Sequence, residues 1–175
     1  MKFELIQQEI VYAGRAFTVR RDHLRTPREH LVKYDIIEHV GSVILVPVDV
    51  DGNLHFVRQY RHAAQLELLE LPAGTLEVGE DPAECANREL REEIGMSAAS
   101  ITEIGSFYLA PGYSTELMHV YLAKDLKHDP LEADADEYLD VVHIPLAEAY
   151  RMAAAAALLD AKSLAALLLA KEYLK

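Results

Sequence analysis

Apolar and polar positions alternate over much of the chain, and this alternation is typical of strands with one buried face. It predicts nine strands, at residues 3–12, 16–23, 31–39, 42–49, 53–60, 66–71, 103–109, 117–123 and 139–144. Apolar residues recur every four positions at Ala86, Leu90 and Ile94, which predicts a helix over residues 82–94. Two more helices are predicted near the end of the chain, at 146–157 and 161–174. Many strands with few helices, one of them between strands, indicate an α/β fold of the α+β type with helices on a mixed sheet.

The first predicted helix has clear signals at both ends. Asp81 is a favourable N-cap, Pro82 takes the first helical position, and Glu84 lies where a capping box requires an acidic side chain. Gly95 follows the last helical residue, where a left-handed conformation is common. A glycine-containing loop, residues 74–80, connects the preceding strand to this helix. The sequence therefore predicts a strand, a loop and a helix with fixed starting points.

Three acidic residues share one face of this helix. Glu89, Glu92 and Glu93 are three and four positions apart, so their carboxylates lie on the same side and repel one another. Carboxylate oxygens are hard ligands that suit Mg²⁺ or Mn²⁺ better than Zn²⁺. We interpret the face as a site for a divalent cation; a solvated acidic surface is the alternative interpretation of the charge and the caps.

The segment from Gly74 to Met96 resembles the Nudix box, G-x5-E-x7-R-E-U-x-E-E-x-G-U, in which U is an aliphatic residue. The fixed positions are filled by Gly74, Glu80, Arg88, Glu89, Leu90, Glu92, Glu93, Gly95 and Met96. The resemblance implies a Nudix α/β/α sandwich with a mixed sheet over residues 36–175. Residues 1–35 are then expected to form an N-terminal β extension that takes part in a dimer and in the substrate site.

Three further stretches resemble the ADP-ribose pyrophosphatase branch of this family. They are FVRQYRHA at 56–63, LELPAG at 69–74 and SFYLAPGYSTELMHVYLA at 106–123, and Pro111 lies fifteen positions after Met96. The resemblance implies Mg²⁺-dependent hydrolysis of ADP-ribose to AMP and ribose 5-phosphate. Two alternatives stay open: hydrolysis of GDP-mannose or another nucleoside diphosphate derivative, and a non-catalytic domain that senses a nucleotide. Retention of all the box carboxylates disfavours the sensor.

The resemblance also implies roles for individual residues. The implied metal ligands are the carbonyl of Ala73 and the side chains of Glu89, Glu92, Glu93 and Glu137, with Mg²⁺ or Mn²⁺ as the cofactor. Glu92, Glu93 and Glu137 are the implied catalytic residues, and Glu137 comes from an acidic stretch whose alternative interpretation is a solvated loop. Glu80 and Arg88 are expected to hold the ligands in place. The expected substrate contacts are Phe17, Arg58, Arg61 and Glu116.

Composition favours a single compact enzyme domain. The chain has 175 residues, 51% of them hydrophobic and 26% charged, which is ordinary for a globular protein. Its one cysteine, Cys85, cannot form an internal disulfide bond, so we expect a reducing, cytoplasmic setting. No apolar run is long enough for a membrane span. The branch resemblance implies a homodimer.

Charge is unevenly distributed along the chain. The formal net charge is −12, of which residues 1–35 carry +2 (seven basic and five acidic residues) and the remainder −14. Nucleic-acid binding requires basic groups that neutralise phosphates, so we expect none. The eight histidines are scattered, with no His-Glu-x-x-His motif and no pair at ligand spacing in the sequence. We therefore predict that all eight are structural or surface residues.

Overall fold

The computed structural model describes residues 2–15, 17–132 and 138–174, and these residues form two compact units. The first unit combines the chain up to Gly41 with Phe107–Leu117. It contains an antiparallel three-stranded sheet in chain order, with β1 at Glu4–Ala13, β2 at Thr18–Arg25 and β3 at Leu31–Glu38. This unit is larger than the extension at 1–35, and the division of the chain into those two domains stays a prediction.

The second unit, Ser42–Ser106 with Met118–Lys175, contains two sheets and three helices. One sheet has the order β7-β4-β9-β8 and the other the order β10-β5-β6. Their strands are β4 Ser42–Pro47, β5 Asn53–Arg61, β6 Leu66–Glu70, β7 Ala73–Thr75, β8 Met96–Tyr108, β9 Leu117–His128 and β10 Leu139–Pro145. The helices are α1 Pro82–Glu93, α2 Leu146–Ala154 and α3 Ala161–Ala170. The predicted fold class, a mixed α+β arrangement, is confirmed.

Strand β4 lies at the centre of the second unit and is buried along its whole length. It pairs in parallel with β9 and antiparallel with β7, and both α1 and α3 contact it. Val43 and Leu45 pack in one apolar cluster with Leu90 of α1, while Ile44 is also fully buried. A strand covered on both faces needs a continuous apolar run rather than alternation, which explains the sequence SVILVP.

Helix α1 begins where the sequence predicts and ends one residue earlier, at Glu93. The side chain of Asp81 accepts a hydrogen bond from the Ala83 backbone N–H at 2.8 Å, and Pro82 is the first helical residue. Gly95 follows with a φ of 69°, a conformation that costs glycine little. Because both ends are fixed, the side chains of the box project from a defined rotation of the helix.

Several predicted boundaries are wrong. Strand β8 begins at Met96, well before the predicted start at 103, and β9 continues to His128 instead of ending at 123. The last two helices end early, α2 at Ala154 and α3 at Ala170. The sequence pattern also does not predict the short strand β7, which is held by pairing to β4. Among the described residues, no helix has the length and apolar character needed to cross a bilayer.

Candidate metal centre and active site

The acidic face of α1 is largely withdrawn from solvent. Glu89 and Glu93 each expose only 7% of their surface, and Glu92 is half-buried. Charged groups are rarely buried unless a partner compensates them. The face therefore concentrates negative charge in a confined space and is not a solvated helix surface.

Arg88 contacts several carboxylates of the box at once. Its guanidinium donates to both oxygens of Glu80, from Nε at 2.9 Å and from Nη2 at 3.0 Å. Its Nη1 donates to Glu89 Oε1 at 2.7 Å and to Glu92 Oε2 at 2.8 Å. Three carboxylates thus contact one guanidinium, and those four groups together carry a net charge of −2. The acidic neighbours raise the pKa of Arg88, so it stays cationic.

The strand β7 and its glycine bring backbone against the acidic face. The Ala73 N–H donates to Glu93 Oε2 at 3.0 Å. The carboxylate of Glu89 lies directly against Gly74, where a Cβ would come within 1.8 Å of Glu89 Cδ. A side chain at that position would force the Glu89 carboxylate to move. Gly74 therefore serves close approach between the loop and the helix.

These groups suit a hard divalent cation. The donors are carboxylate oxygens, and their surplus negative charge favours a cation. Arg88 Nη1 lies between Glu89 and Glu92 and donates to both, so a guanidinium bridges these two carboxylates. Mg²⁺ fits this arrangement because it is usually held by one or two carboxylates together with water and phosphate oxygens.

A second ionic cluster joins the last residue of β5, the last residue of β6 and helix α3. Arg61 makes two hydrogen bonds to Glu70, which is only 1% exposed, at 2.8 Å (Nε to Oε1) and 2.6 Å (Nη2 to Oε2). Lys162 of α3 also donates to Glu70. Burial opposes ionisation of Glu70, but the bonds from Arg61 and Lys162 outweigh it, so its pKa lies below the ordinary value. The same bonds raise the pKa of Arg61, and the charge of Glu93 adds to that rise. Arg61 therefore lies within electrostatic reach of the box.

The other expected substrate residues have different surroundings. Arg58 and Arg61 are three positions apart on the regular strand β5, so their side chains project to opposite faces. Arg58 is exposed and lines an open cavity of about 260 Å³ together with residues of β6, α2 and the following loop. Phe17 and Glu116 belong to the first unit, where the Phe17 ring lies 6.1 Å from that of Tyr12. Glu137 lies outside the described residues. The role of each of these residues stays a prediction.

Sequence reasoning missed Glu70 and Lys162. The signal for Glu70 is an acidic residue that ends the strand LELLE between the apolar residues Leu69 and Leu71. Nothing local marks Lys162, because its contact with Glu70 spans 92 positions of the chain. The two residues become visible only once α3 is placed against the sheet.

The pairing of Glu80 with Arg88 predicts an acid-sensitive contribution to stability. Hydrogen bonds from Arg88 lower the pKa of Glu80 from 4.5 to about 2. Burial acts in the opposite direction, and the hydrogen bond from the Glu77 N–H adds to the lowering. A carboxylate whose pKa falls on folding stabilises the fold fully above the unfolded pKa and loses this effect as the pH falls through the folded pKa. We expect Glu80→Gln to lower the free energy of unfolding at neutral pH, with the deficit shrinking as the pH falls from about 4.5 towards about 2. Urea unfolding of the wild type and the variant over this pH range measures the difference in the free energy of unfolding. A difference that stays constant with pH would contradict the prediction.

The fold and the box together define a Nudix domain, and the chain belongs to the Nudix family. The family profile described as NUDIX domain matches residues 38–167. The chain is 33% identical over 160 residues to the ADP-ribose pyrophosphatase of Bacillus subtilis (strain 168), covering 90% of this chain and 86% of that protein. It is 41% identical over 152 residues to the ADP-ribose pyrophosphatase of Mycobacterium tuberculosis (strain ATCC 25618 / H37Rv), covering 85% of this chain and 73% of that protein. The crystal structure of an ADP compounds hydrolase superposes with a TM-score of 0.90 at 31% identity, over 99% of this chain and 95% of the other.

Proposed function

We propose that this Nudix hydrolase splits the diphosphate bond of ADP-ribose to give AMP and ribose 5-phosphate, or splits a close nucleoside diphosphate sugar into the corresponding nucleoside monophosphate and sugar phosphate. The observation that supports this most directly is the buried acidic face of α1, which lies against Gly74. The segment that carries this face matches the Nudix box at every fixed position. The similarity to two ADP-ribose pyrophosphatases supports the substrate class. Nudix hydrolases generally use a divalent metal ion.

The proposed ligands of Mg²⁺ or Mn²⁺ are Glu89 and Glu93, with Glu92 and the carbonyl of Ala73 as further ligands. When bound, such ions offset the negative charge that builds on the phosphate oxygens and make the attacking water more acidic. Glu93 receives the Ala73 N–H, so strand β7 fixes the orientation of this carboxylate. Glu137 is proposed as the base or an additional ligand, by family resemblance alone.

Arg88 and Glu80 are proposed to orient the ligands. Arg88 stays protonated at neutral pH, and its guanidinium contacts Glu80, Glu89 and Glu92 at once. Oriented ligands lose less conformational freedom when a cation binds. The Glu80 carboxylate accepts a hydrogen bond from the Glu77 N–H at 2.8 Å, so it connects the Arg88 guanidinium to the loop at residues 74–80.

Arg61 is proposed to hold the diphosphate. It has an exposed fraction of 41%, it lies within electrostatic reach of Glu93, and its bidentate contact with buried Glu70 fixes one edge of the guanidinium. A guanidinium presents several N–H donors in a fixed fork, so an arginine held at one edge retains donors for phosphate oxygens. Phe17 is proposed to stack on the base and Glu116 to accept from a ribose hydroxyl.

A homodimer is proposed from the surface of β1. Every residue of this strand is exposed, including Leu5, Ile6, Ile10, Val11 and Tyr12. Exposed apolar residues on one strand are a common mark of an interface, and a second copy of the chain is the occupant that the family suggests. Sedimentation equilibrium gives the mass directly: twice the 19.6 kDa of one chain supports the dimer and the monomer mass contradicts it.

The test of the function is a substrate panel. Purified protein with Mg²⁺ is incubated separately with ADP-ribose, GDP-mannose and other nucleoside diphosphate derivatives, and release of the nucleoside monophosphate is followed by chromatography. We expect the highest kcat/KM for ADP-ribose. A higher value for GDP-mannose or another compound would assign a different nucleoside diphosphate substrate, and no turnover of any compound would favour the nucleotide sensor.

A further inference from the structure

Three potential metal ligands converge at one end of the sheet β10-β5-β6, away from the box. Asp49 lies in the turn between β4 and β5, His55 lies on β5, and His143 lies on β10 directly opposite His55 in the strand register. One ligand atom from each of the three lies within 4.8 Å of the others. We propose that Asp49, His55 and His143 bind a divalent transition-metal ion, with Zn²⁺ as the best fit.

The burial of His55 is the first argument. The residue is only 4% exposed, and its Nδ1 has no hydrogen-bond partner among the described residues. The polar contact that the structure shows for the ring joins Nε2 to Asp49 Oδ2 at 3.4 Å, longer than the roughly 2.9 Å of a good N–H···O bond. Because that contact is long, Nε2 is only weakly hydrogen-bonded and is the ring nitrogen that can bind a metal ion.

The distance between these two atoms is the second argument. Ligands that lie roughly 2.0–2.1 Å from a tetrahedral Zn²⁺ are about 3.4 Å from one another. Nε2 of His55 and Oδ2 of Asp49 already have that separation. The ring of His143 stacks on that of His55 with 4.1 Å between centroids. One ring nitrogen of His143 already lies within 4.8 Å of the other two ligand atoms, and the residue is exposed.

The Asp49 carboxylate is held in place by the turn. Its Oδ1 accepts from the backbone N–H groups of Asp51 at 2.9 Å and Asn53 at 2.8 Å, and its Oδ2 accepts from the side-chain amide of Asn53 at 3.1 Å. Hydrogen bonds of this kind orient a metal ligand and tune its affinity. The turn therefore connects β4 to β5 and holds Oδ2 next to His55.

The ligand atoms of Asp49, His55 and His143 indicate which class of metal ion the site binds. Two imidazoles and a carboxylate suit Zn²⁺, Co²⁺ or Ni²⁺, whereas Mg²⁺ prefers oxygen ligands alone. The site is thus chemically distinct from the carboxylates of α1.

The site shares no residue with the box. Ala73, at the edge of the box, pairs with Ile44 in the middle of β4, whereas Asp49 follows the end of that strand at Pro47. A metal at this site joins the β4–β5 turn to β5 and β10. We assign it a structural role that does not depend on the substrate.

The test is zinc binding in the presence of excess Mg²⁺, which keeps the box supplied with the ion that its oxygens prefer. Chelator-treated protein is titrated with Zn²⁺ in a calorimeter, and the zinc retained after dialysis is counted by atomic absorption. We expect one zinc per wild-type chain. We expect His143→Ala to lower the zinc affinity by about 100-fold or more, since loss of a ligand exceeds the 10–100-fold effect of changing an outer-shell partner. Asp49→Asn, whose amide oxygen can still accept the turn hydrogen bonds, should weaken zinc binding too.

Two controls separate this site from other zinc binding. His119→Ala removes a half-buried histidine that pairs with Glu103 on the other sheet, at 3.0 Å, and should keep one zinc per chain. Glu93→Gln alters the box and should also keep it. The proposal is overturned if the wild-type chain binds no zinc, if His143→Ala binds it as tightly as wild type, or if either control loses it equally.

Discussion

Replacing Glu93 by glutamine is expected to lower kcat for the preferred nucleoside diphosphate by about 1,000-fold, because the proposed charged ligand becomes a neutral amide of the same shape. A metal ion contributes several kcal/mol of charge stabilisation to the transition state, and each 1.36 kcal/mol changes the rate about tenfold. The amide oxygen of glutamine can still accept the Ala73 N–H that Glu93 Oε2 accepts at 3.0 Å. The fold should therefore persist. Steady-state kinetics at saturating Mg²⁺ measures the change.

Stability provides the independent measurement for this variant. Glu93 is only 7% exposed and shares its helix face with Glu89, so removal of one charge relieves repulsion. We expect an unchanged or slightly higher melting temperature without metal, and a smaller rise on addition of Mg²⁺ than in wild type. The matched control is Glu84→Gln, an exposed glutamate in the first turn of the same helix, which should keep wild-type kcat. Activity of Glu93→Gln within a few-fold of wild type would contradict the assigned role.

The box could be predicted from sequence because its geometry is local. A helix converts residue spacing into direction, so carboxylates three and four positions apart must share a face. The caps at Asp81 and Gly95 fix where that helix begins and ends, and the structure shows both. The contact of Arg88 with Glu80 spans eight positions only. What the spacing could not provide is the close approach of Gly74 to Glu89, which depends on pairing between β4 and β7.

The non-local features could not be predicted in the same way. His55 and His143 are far apart in sequence and meet only because β5 and β10 pair antiparallel. The interpretation of all histidines as structural or surface residues rests on local spacing, which carries no information about such pairing. Glu70 and Lys162 show the same limit, since α3 must dock before the contact exists. Strand pairing and helix docking are set by the whole hydrophobic pattern rather than by any one segment.

The misplaced boundaries have a similar physical cause. The segment Met96–Ile101 follows the helix with small residues and little alternation, so the pattern gives no strand, yet β8 is bonded to β9 along the edge of its sheet. Conversely, alanine and leucine favour helix anywhere, and the pattern extends α2 and α3 beyond their observed ends. Ala156 has a φ of 55°, which ends α2 in a turn before α3 begins. Tertiary contacts here override local propensity.

Replacing Gly74 by alanine lowers kcat/KM by about 100-fold with little loss of stability, because a misplacement of about 1 Å in a catalytic group costs on the order of 100-fold. The added Cβ would lie 1.8 Å from Cδ and 1.9 Å from Oε1 of Glu89, so that carboxylate has to move. The atoms displaced are the end of a flexible side chain, and the backbone at Gly74 is in a strand conformation that alanine adopts readily. Kinetics over a range of Mg²⁺ concentrations should show a higher requirement for the ion. Gly112→Ala, which adds a methyl group with nothing within 4 Å, is the matched control, and equal kinetics of the two variants would refute the role of this close contact.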